Sequence, residues 1–472
     1  MNIVSVSRES PPASAPVNSL YIWMVASIAA LGGFLFGYDW VVIGGAKPFY
    51  EKFFALTLPS QQGWAMSCAL IGCLLGALAS GALSERLGRK KPLILAAVIF
   101  CLSSIGTGMA DHFQIFVFWR ILGGFAIGLA SSLSPVYIAE LAPAHLRGKL
   151  VSMNQLTIVC GILLAQVVNW LIAKPISPTA NASEILNSWN GQVGWRWMFA
   201  VTAIPALLFL TAMFFVPESP RWLARHGAPD KAKAVLTSIG GKSYGEAVYS
   251  EIESSIATEH AEASLQTLFA PKTRRILWLG IFLAVLQQWC GINVIFNYAE
   301  EVFSAAGFPV SDILFNIVVT GAVNVLFTII ALRTVDRYGR RVLMLVGSAG
   351  LGIIYALLGL LYYLHGRGII MLFLVVAAIA CFAMSLAPVT WVVISEIFPT
   401  RIRGAAVSIA VTALWSACFV LTYTFPFLNR ALGASGTFWI YAGICVVGFV
   451  YLLFRLPETK GKSLEAIEQS WG

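Results

Sequence analysis

Twelve apolar runs, each long enough to cross a lipid bilayer, constrain this chain more than any other feature. A helix needs about 20 mostly apolar residues to span the hydrocarbon core. Runs of that length lie near 21–45, 64–83, 92–111, 113–139, 150–173 and 197–216. A second set lies near 276–300, 312–333, 342–364, 369–395, 404–428 and 436–455. Backbone polar groups in lipid must be satisfied internally, which a helix does within its own segment. The expected fold is an all-α membrane protein of twelve transmembrane helices. Composition agrees, since 58% of the 472 residues are hydrophobic and 11% are charged, against about 25% charged in soluble globular proteins.

Between the two sets, residues 217–275 carry 15 charges in 59 positions. Val248, Ile252 and Ile256 recur there at every fourth residue, which predicts short amphipathic linker helices on the cytosolic side. The expected organisation is a tail (1–19), a six-helix half (20–216), a linker (217–275), a second six-helix half (276–456) and a C-terminal tail (457–472). A net charge of +9 invites a nucleic-acid reading, but that needs basic residues gathered on a soluble face. Here 24 of the 31 basic residues fall in the tails and in the loops after spans 2, 4, 6, 8 and 10. Lysine and arginine mark the cytoplasmic side of a membrane protein. The chain is therefore expected to cross the cell membrane many times with both termini cytosolic. Residues 1–19 lack the basic and apolar regions of a signal peptide. The eight cysteines (68, 73, 101, 160, 290, 381, 418 and 445) lie in apolar runs without metal-ligand or CxxC spacing, so they are expected to be packing residues.

The two halves repeat. Glu85-Arg86-Leu-Gly-Arg89-Lys90 follows span 2, and Asp336-Arg337-Tyr-Gly-Arg340-Arg341 follows span 8. Glu140 and Arg147-Gly148 follow span 4, as Glu396 and Arg403-Gly404 follow span 10. Span 6 ends in Pro217-Glu218-Ser219 and span 12 in Pro457-Glu458-Thr459. One basic loop would only obey the orientation rule, but three acid-and-arginine patterns at matching places indicate duplication. Parallel six-helix repeats are the architecture of major-facilitator transporters. Glu85, Arg86, Arg89, Glu140, Arg147, Glu218, Asp336, Arg337, Arg340, Glu396, Arg403 and Glu458 are expected to form a cytosolic gate network. Exposed pairs are worth about 0–1 kcal/mol each, yet a network can bias two states a few kcal/mol apart.

From span 1 to Ser463 the chain resembles the sugar porter family of the major facilitator superfamily, most closely its bacterial xylose–proton symporters. The matching motifs are GGFLFGYD (32–39), SERLGRKK (84–91), RILGGFAIGLASSLSPVYIAELAPAHLRGKLVS (120–152), GWRWMF (194–199) and PESPRW (217–222). QQWCGIN (287–293), VDRYGRR (335–341), WVVISEIFP (391–399) and PETKGKS (457–463) complete them in the family's order. The resemblance implies a monosaccharide and a proton as partners, a lipid bilayer around a monomer, and neither cofactor, metal nor nucleic acid.

Only Asp39 in span 1 and Arg120 in span 4 place an ionisable group well inside a predicted span. Such charges are costly unless paired and point to function. The expected role of Asp39 is to take up and release the coupled proton, with Arg120 as its partner. The resemblance supports this, since xylose symporters carry Asp and Arg at these positions and glucose facilitators an amide in place of the Asp. Thr202 departs from the pattern, because the xylose symporter has a second carboxylate there.

Sugar hydroxyls call for amides, and the apolar face of a sugar calls for aromatic rings. Gln155, Gln287, Gln288, Asn293, Asn324, Trp391 and Trp415 match sugar-contacting positions of the family, and Phe36 matches a site-lining aromatic. Gln166 is assigned to packing or lining. Gly291 is expected to let span 7 break, leaving 293–301 as an extracellular gate, with Glu300 and Glu301 solvated at its outer end. Gly123, Gly124 and Gly128 are expected to serve close helix contact. Asn297 stands where the xylose symporter has Tyr, Leu414 replaces a Gln, and Leu386-Ala387 replace Trp-Gly, so the choice of sugar stays open.

The expected function is proton-coupled monosaccharide symport by alternating access, with an uncoupled facilitator as the alternative. Drug exporters carry a Gly-Pro-rich span 5 that is absent here. A sugar sensor would need a longer cytosolic domain. An enzyme is not expected: the five histidines (112, 145, 226, 260 and 365) form no nucleophile or metal constellation. The Asn181-Ala-Ser183 sequon is read as a chance match.

Overall fold

A computed structural model describes residues 17–177, 180–258, 271–398, 403–458 and 460. The first six spans are Ser19–Phe53, Pro59–Leu87, Lys90–Gly108, Phe113–Leu141, Ala144–Ile172 and Asn190–Met213. Span 7 runs as three pieces, Pro271–Trp289, Ile292–Asn297 and Ala299–Ala305. Spans 8 and 9 are Val310–Tyr338 and Arg340–Tyr363, and span 10 is Ile369–Met384 with Leu386–Ile397. Arg403–Arg455 is continuous over 53 residues. At ~1.5 Å per residue it would be far longer than a ~30 Å hydrocarbon core. Gly433 leaves helical geometry at φ 65° and ψ −179° and divides it into spans 11 (403–432) and 12 (434–455). The twelve-helix expectation is met.

Two six-helix halves pack around a common centre. In the first, span 4 lies against spans 2 and 3, and span 1 against span 5. In the second, the helix of spans 11 and 12 packs on spans 7 and 9, and span 10 on span 8. Span 2 meets span 11, span 5 meets span 8, and span 1 meets the far end of span 7 across the halves. Spans 2 and 4 touch backbone to backbone: a Cβ on Gly124 would lie 1.9 Å from the Ala69 carbonyl oxygen, and one on Gly128 2.2 Å from that of Cys73. This is the close contact expected of the span 4 glycines.

Among the described residues the linker holds Pro220–Arg225 and Pro229–Thr258, the latter bent at Gly240 and Gly241. Val248, Ile252 and Ile256 are half-buried along it, as their spacing predicts. It ties to the start of span 1, where the Asn18 N–H donates to the Ile239 carbonyl at 2.8 Å. The face carrying this linker, Asn18 and Lys460 is the basic face.

Several span ends differ from the sequence reading by five to eight residues, and two differences bear on the site. Span 1 ends at Phe53, not near 45, because Ala46, Phe49 and Tyr50 are fully buried and carry Lys47 with them. Span 10 breaks at Ser385, whose φ of −128° and ψ of −91° are not helical. The break falls beside Leu386 and Ala387, where the chain departs from the xylose-symporter pattern.

Gly124→Leu tests the backbone contact. It should cost about 1–3 kcal/mol through overpacking and lower the thermal unfolding midpoint in detergent, whereas an unchanged midpoint would contradict it.

Candidate functional site

Span 1 passes the centre of the molecule, and its apolar sequence leaves one carboxylate there. Asp39 is 5% exposed, and Arg120 of span 4 is 4% exposed. The Arg120 Nη1 donates to both Asp39 oxygens, at 2.8 and 2.9 Å. The guanidinium also lies 5.4 Å from the centre of the Phe199 ring. The sequence placed both groups inside spans, and the structure joins them. A small cavity opens beside the pair, lined by Asp39, Trp40, Ile43, Met66, Arg120 and Asn297 among others. Asn297 belongs to span 7, is 4% exposed, and its Oδ1 accepts no hydrogen bond. The cavity therefore brings a residue of the second half up to the ion pair of the first.

The amides expected to hold sugar cluster where span 7 breaks. Gly291 adopts φ 87° and ψ −4°, a left-handed conformation that glycine takes without steric cost. Around it Gln288 Nε2 donates to Gln287 Oε1 at 2.9 Å, and Asn293 Nδ2 donates to Gln288 Oε1. These amides satisfy one another, as polar groups within lipid must, and a hydroxylated ligand could exchange into the same bonds. Phe36 of span 1 and Trp415 of span 11 lie 5.8 Å apart, ring centre to ring centre. Trp40 packs edge-on against both, at 6.0 and 6.2 Å. The sequence reading missed Trp40, although it follows Phe36 by one helical turn.

Gln155, Asn324 and Trp391 belong to spans 5, 8 and 10. Trp391 is 40% exposed and Asn324 is buried, and Gln155 is half-buried. Asn324 belongs to a buried polar stripe along span 8 with Asn316, Thr320 and Thr328, repeating every fourth residue. Gln166 is 2% exposed, with neither amide atom hydrogen-bonded, beside Gly321 of span 8.

On the basic face the internal repeat becomes a repeated bonding pattern. Arg89 Nη2 donates to Glu140 Oε1 at 2.7 Å, and the Arg89 N–H donates to Glu218 Oε1 at 2.8 Å. In the second half Arg340 Nη2 donates to Glu396 Oε1 at 3.2 Å, and the Arg340 N–H to Glu458 Oε1 at 2.9 Å. Each of these bonds joins elements of one half. Glu218 and Glu458 thus receive backbone N–H groups at the start of spans 3 and 9, where helix N-termini favour anions. Glu85 lies 3.8 Å from Arg225 and is mostly exposed. Arg86, Arg147 and Arg337 are exposed. The side chains of Asp336 and Arg403 lie outside the described residues.

One expectation is corrected. Glu301 is not solvated: its carboxylate bonds the Lys47 ammonium, and Lys47 is 3% exposed. Glu51 holds the same ammonium at 3.1 Å. Asp39 and Arg120 are therefore not the only buried ionic cluster along the spans. The signal was the Lys47–Glu51 spacing of one helical turn, which had been assigned to a loop.

Twelve helices in two halves, with a buried ion pair, an amide cluster and a broken helix at their junction, define a membrane transporter. The family model for "Sugar (and other) transporter" matches residues 25–471, and the chain belongs to that family. It is 39% identical over 485 residues to the D-xylose-proton symporter of Escherichia coli, covering 96% of each chain. It is also 39% identical to the glucose transport protein of Synechocystis, covering 98% of this chain and 100% of that one. The inward open conformation of the E. coli xylose transporter superimposes with a TM-score of 0.83 at 38% identity, covering 96% of this chain and 100% of that chain.

Removing Arg120 should strand a buried carboxylate. Arg120→Leu is expected to destabilise the protein by about 3–5 kcal/mol, and Asp39→Asn with Arg120→Leu should recover most of that in thermal unfolding. Equal loss in the single and double variants would contradict the pairing.

Proposed function

We propose that the protein carries a monosaccharide together with a proton across the cell membrane by alternating access, with the basic face cytosolic. The observation that carries this reading is the Asp39–Arg120 pair, buried beside a cavity that reaches Asn297 of the other half. While Asp39 is ionised, Arg120 holds it, and separating two buried charges costs several kcal/mol. A proton on Asp39 neutralises the carboxylate and weakens the attraction, so spans 1 and 4 part at lower cost while Arg120 keeps its charge. Proton occupancy is thereby linked to the movement of span 1 against span 7. The printed names of the relatives, a D-xylose-proton symporter and an arabinose-proton symporter, support coupling and a sugar substrate.

In this reading Gln287, Gln288 and Asn293 exchange their mutual bonds for sugar hydroxyls, while Phe36, Trp40 and Trp415 cover the apolar face. Gln155, Asn324 and Trp391 complete the site from the remaining spans. The acid-and-arginine triads brace each half from the cytosolic side as it moves. Residues 217–275 act as the linker, both tails are cytosolic, and the chain works as a monomer embedded in lipid.

A specific observation favours the uncoupled alternative. Thr202 is 1% exposed where the xylose-symporter pattern has a second carboxylate, so span 6 offers Asp39 no second acid. Uptake into liposomes separates the readings. With labelled pentoses and hexoses, an imposed pH gradient should drive accumulation, and Asp39→Asn should abolish accumulation while sugar counterflow survives. Equal uptake with and without the gradient would establish a facilitator.

A further inference from the structure

Lys47 is a buried cation two turns along span 1 from Asp39, and it belongs neither to the Asp39–Arg120 pair nor to the amide cluster. Its ammonium sits between Glu51, one turn along its own helix at 3.1 Å, and Glu301 on the last segment of span 7. It also lies 5.6 Å from the centre of the Tyr298 ring. Tyr298 in turn donates its hydroxyl to the Thr422 carbonyl of span 11 at 2.6 Å. A buried ammonium is tolerated only when it is well paired, and here one of its two partners belongs to the other half.

The backbone around this cluster is closed as well. A Cβ on Gly44, one turn before Lys47, would lie 2.9 Å from the Phe296 carbonyl oxygen and 3.2 Å from that of Asn297. Spans 1 and 7 therefore touch main chain to main chain on the face opposite the linker. Along the outer part of span 7, Asn293 lies in the amide cluster, Asn297 faces the Asp39–Arg120 cavity, and Glu301 grips Lys47.

We infer that Lys47 and Glu301 are gate residues of the transport cycle, an ionic lock that holds spans 1 and 7 together on the outer face when the transporter is closed there. Glu51 gives the lock its reversibility. When the halves part, Glu301 returns to water while Lys47 keeps a carboxylate one turn away, so opening strands no ammonium. The inference rests on the alternating-access reading given above, and its test needs neither sugar nor proton gradient.

Hydrogen–deuterium exchange on the full chain in lipid nanodiscs reads the lock through the peptide covering 292–306. Lys47→Met and Glu301→Gln should each speed exchange there by on the order of tenfold, because a cross-half buried pair is lost. Glu51→Gln should leave protection near the unmodified level, since Glu301 still holds the lysine. The reversed pair, Lys47→Glu with Glu301→Lys, should restore protection, because the cation at 301 again lies between two carboxylates. Glu301→Gln keeps the side chain's size and decides the question if Lys47→Met does not fold. Unchanged exchange in Glu301→Gln, or no recovery in the reversed pair, overturns the inference. A failure of proton coupling would show in the liposome uptake assay and leave this exchange result standing.

Discussion

A charge inside a bilayer must have a partner, and the arrangement of this molecule follows from where those partners are. Asp39 and Arg120 are buried in the first half and bond each other. Span 1 is thereby fixed to span 4 at the level where the two halves meet. Phe36, one turn before Asp39, and Trp40, the residue after it, lie against Trp415 of span 11. Whatever changes the charge on Asp39 changes what holds span 1, and span 1 touches the Trp415 ring and the broken span 7.

The same rule separates two kinds of ionic contact. The triads of the basic face, Arg89–Glu140–Glu218 and Arg340–Glu396–Glu458, bond helices of one half to each other. They make each half a firm body. Lys47 and Glu301 instead join the halves on the opposite face. The described bonds assign bracing to the basic face and cross-half contact to the other.

Most of the fold was legible because the bilayer leaves so few options. Run length gave the spans, Gly291 gave the break in span 7, and the repeated motifs gave the two halves with their matching carboxylates. The Asp39–Arg120 pair was legible because two charges stood alone in apolar runs. Lys47 was not, since Pro48, Glu51 and Lys52 around it read as a loop, and nothing local shows that Phe49 and Tyr50 bury the segment. Ser385 had a readable local signal in Pro388, which has no N–H for the Met384 carbonyl four residues before it. Trp40 and the span 8 stripe of Asn316, Thr320, Asn324 and Thr328 carried a helical period that could have been read. In the site, the amide identities were legible, whereas their mutual bonds depend on span 7 being broken in space.

Coupling of sugar and proton movement through Asp39 is the central claim, and the proton itself is its most direct witness. Liposomes holding the protein and a trapped pH-sensitive dye, with no gradient imposed and the membrane potential clamped, can be given a transported sugar from outside. Inward sugar flow should acidify the interior, and Asp39→Asn should abolish the signal while sugar still exchanges. Sugar entry with no change in internal pH in the unmodified protein would contradict the account.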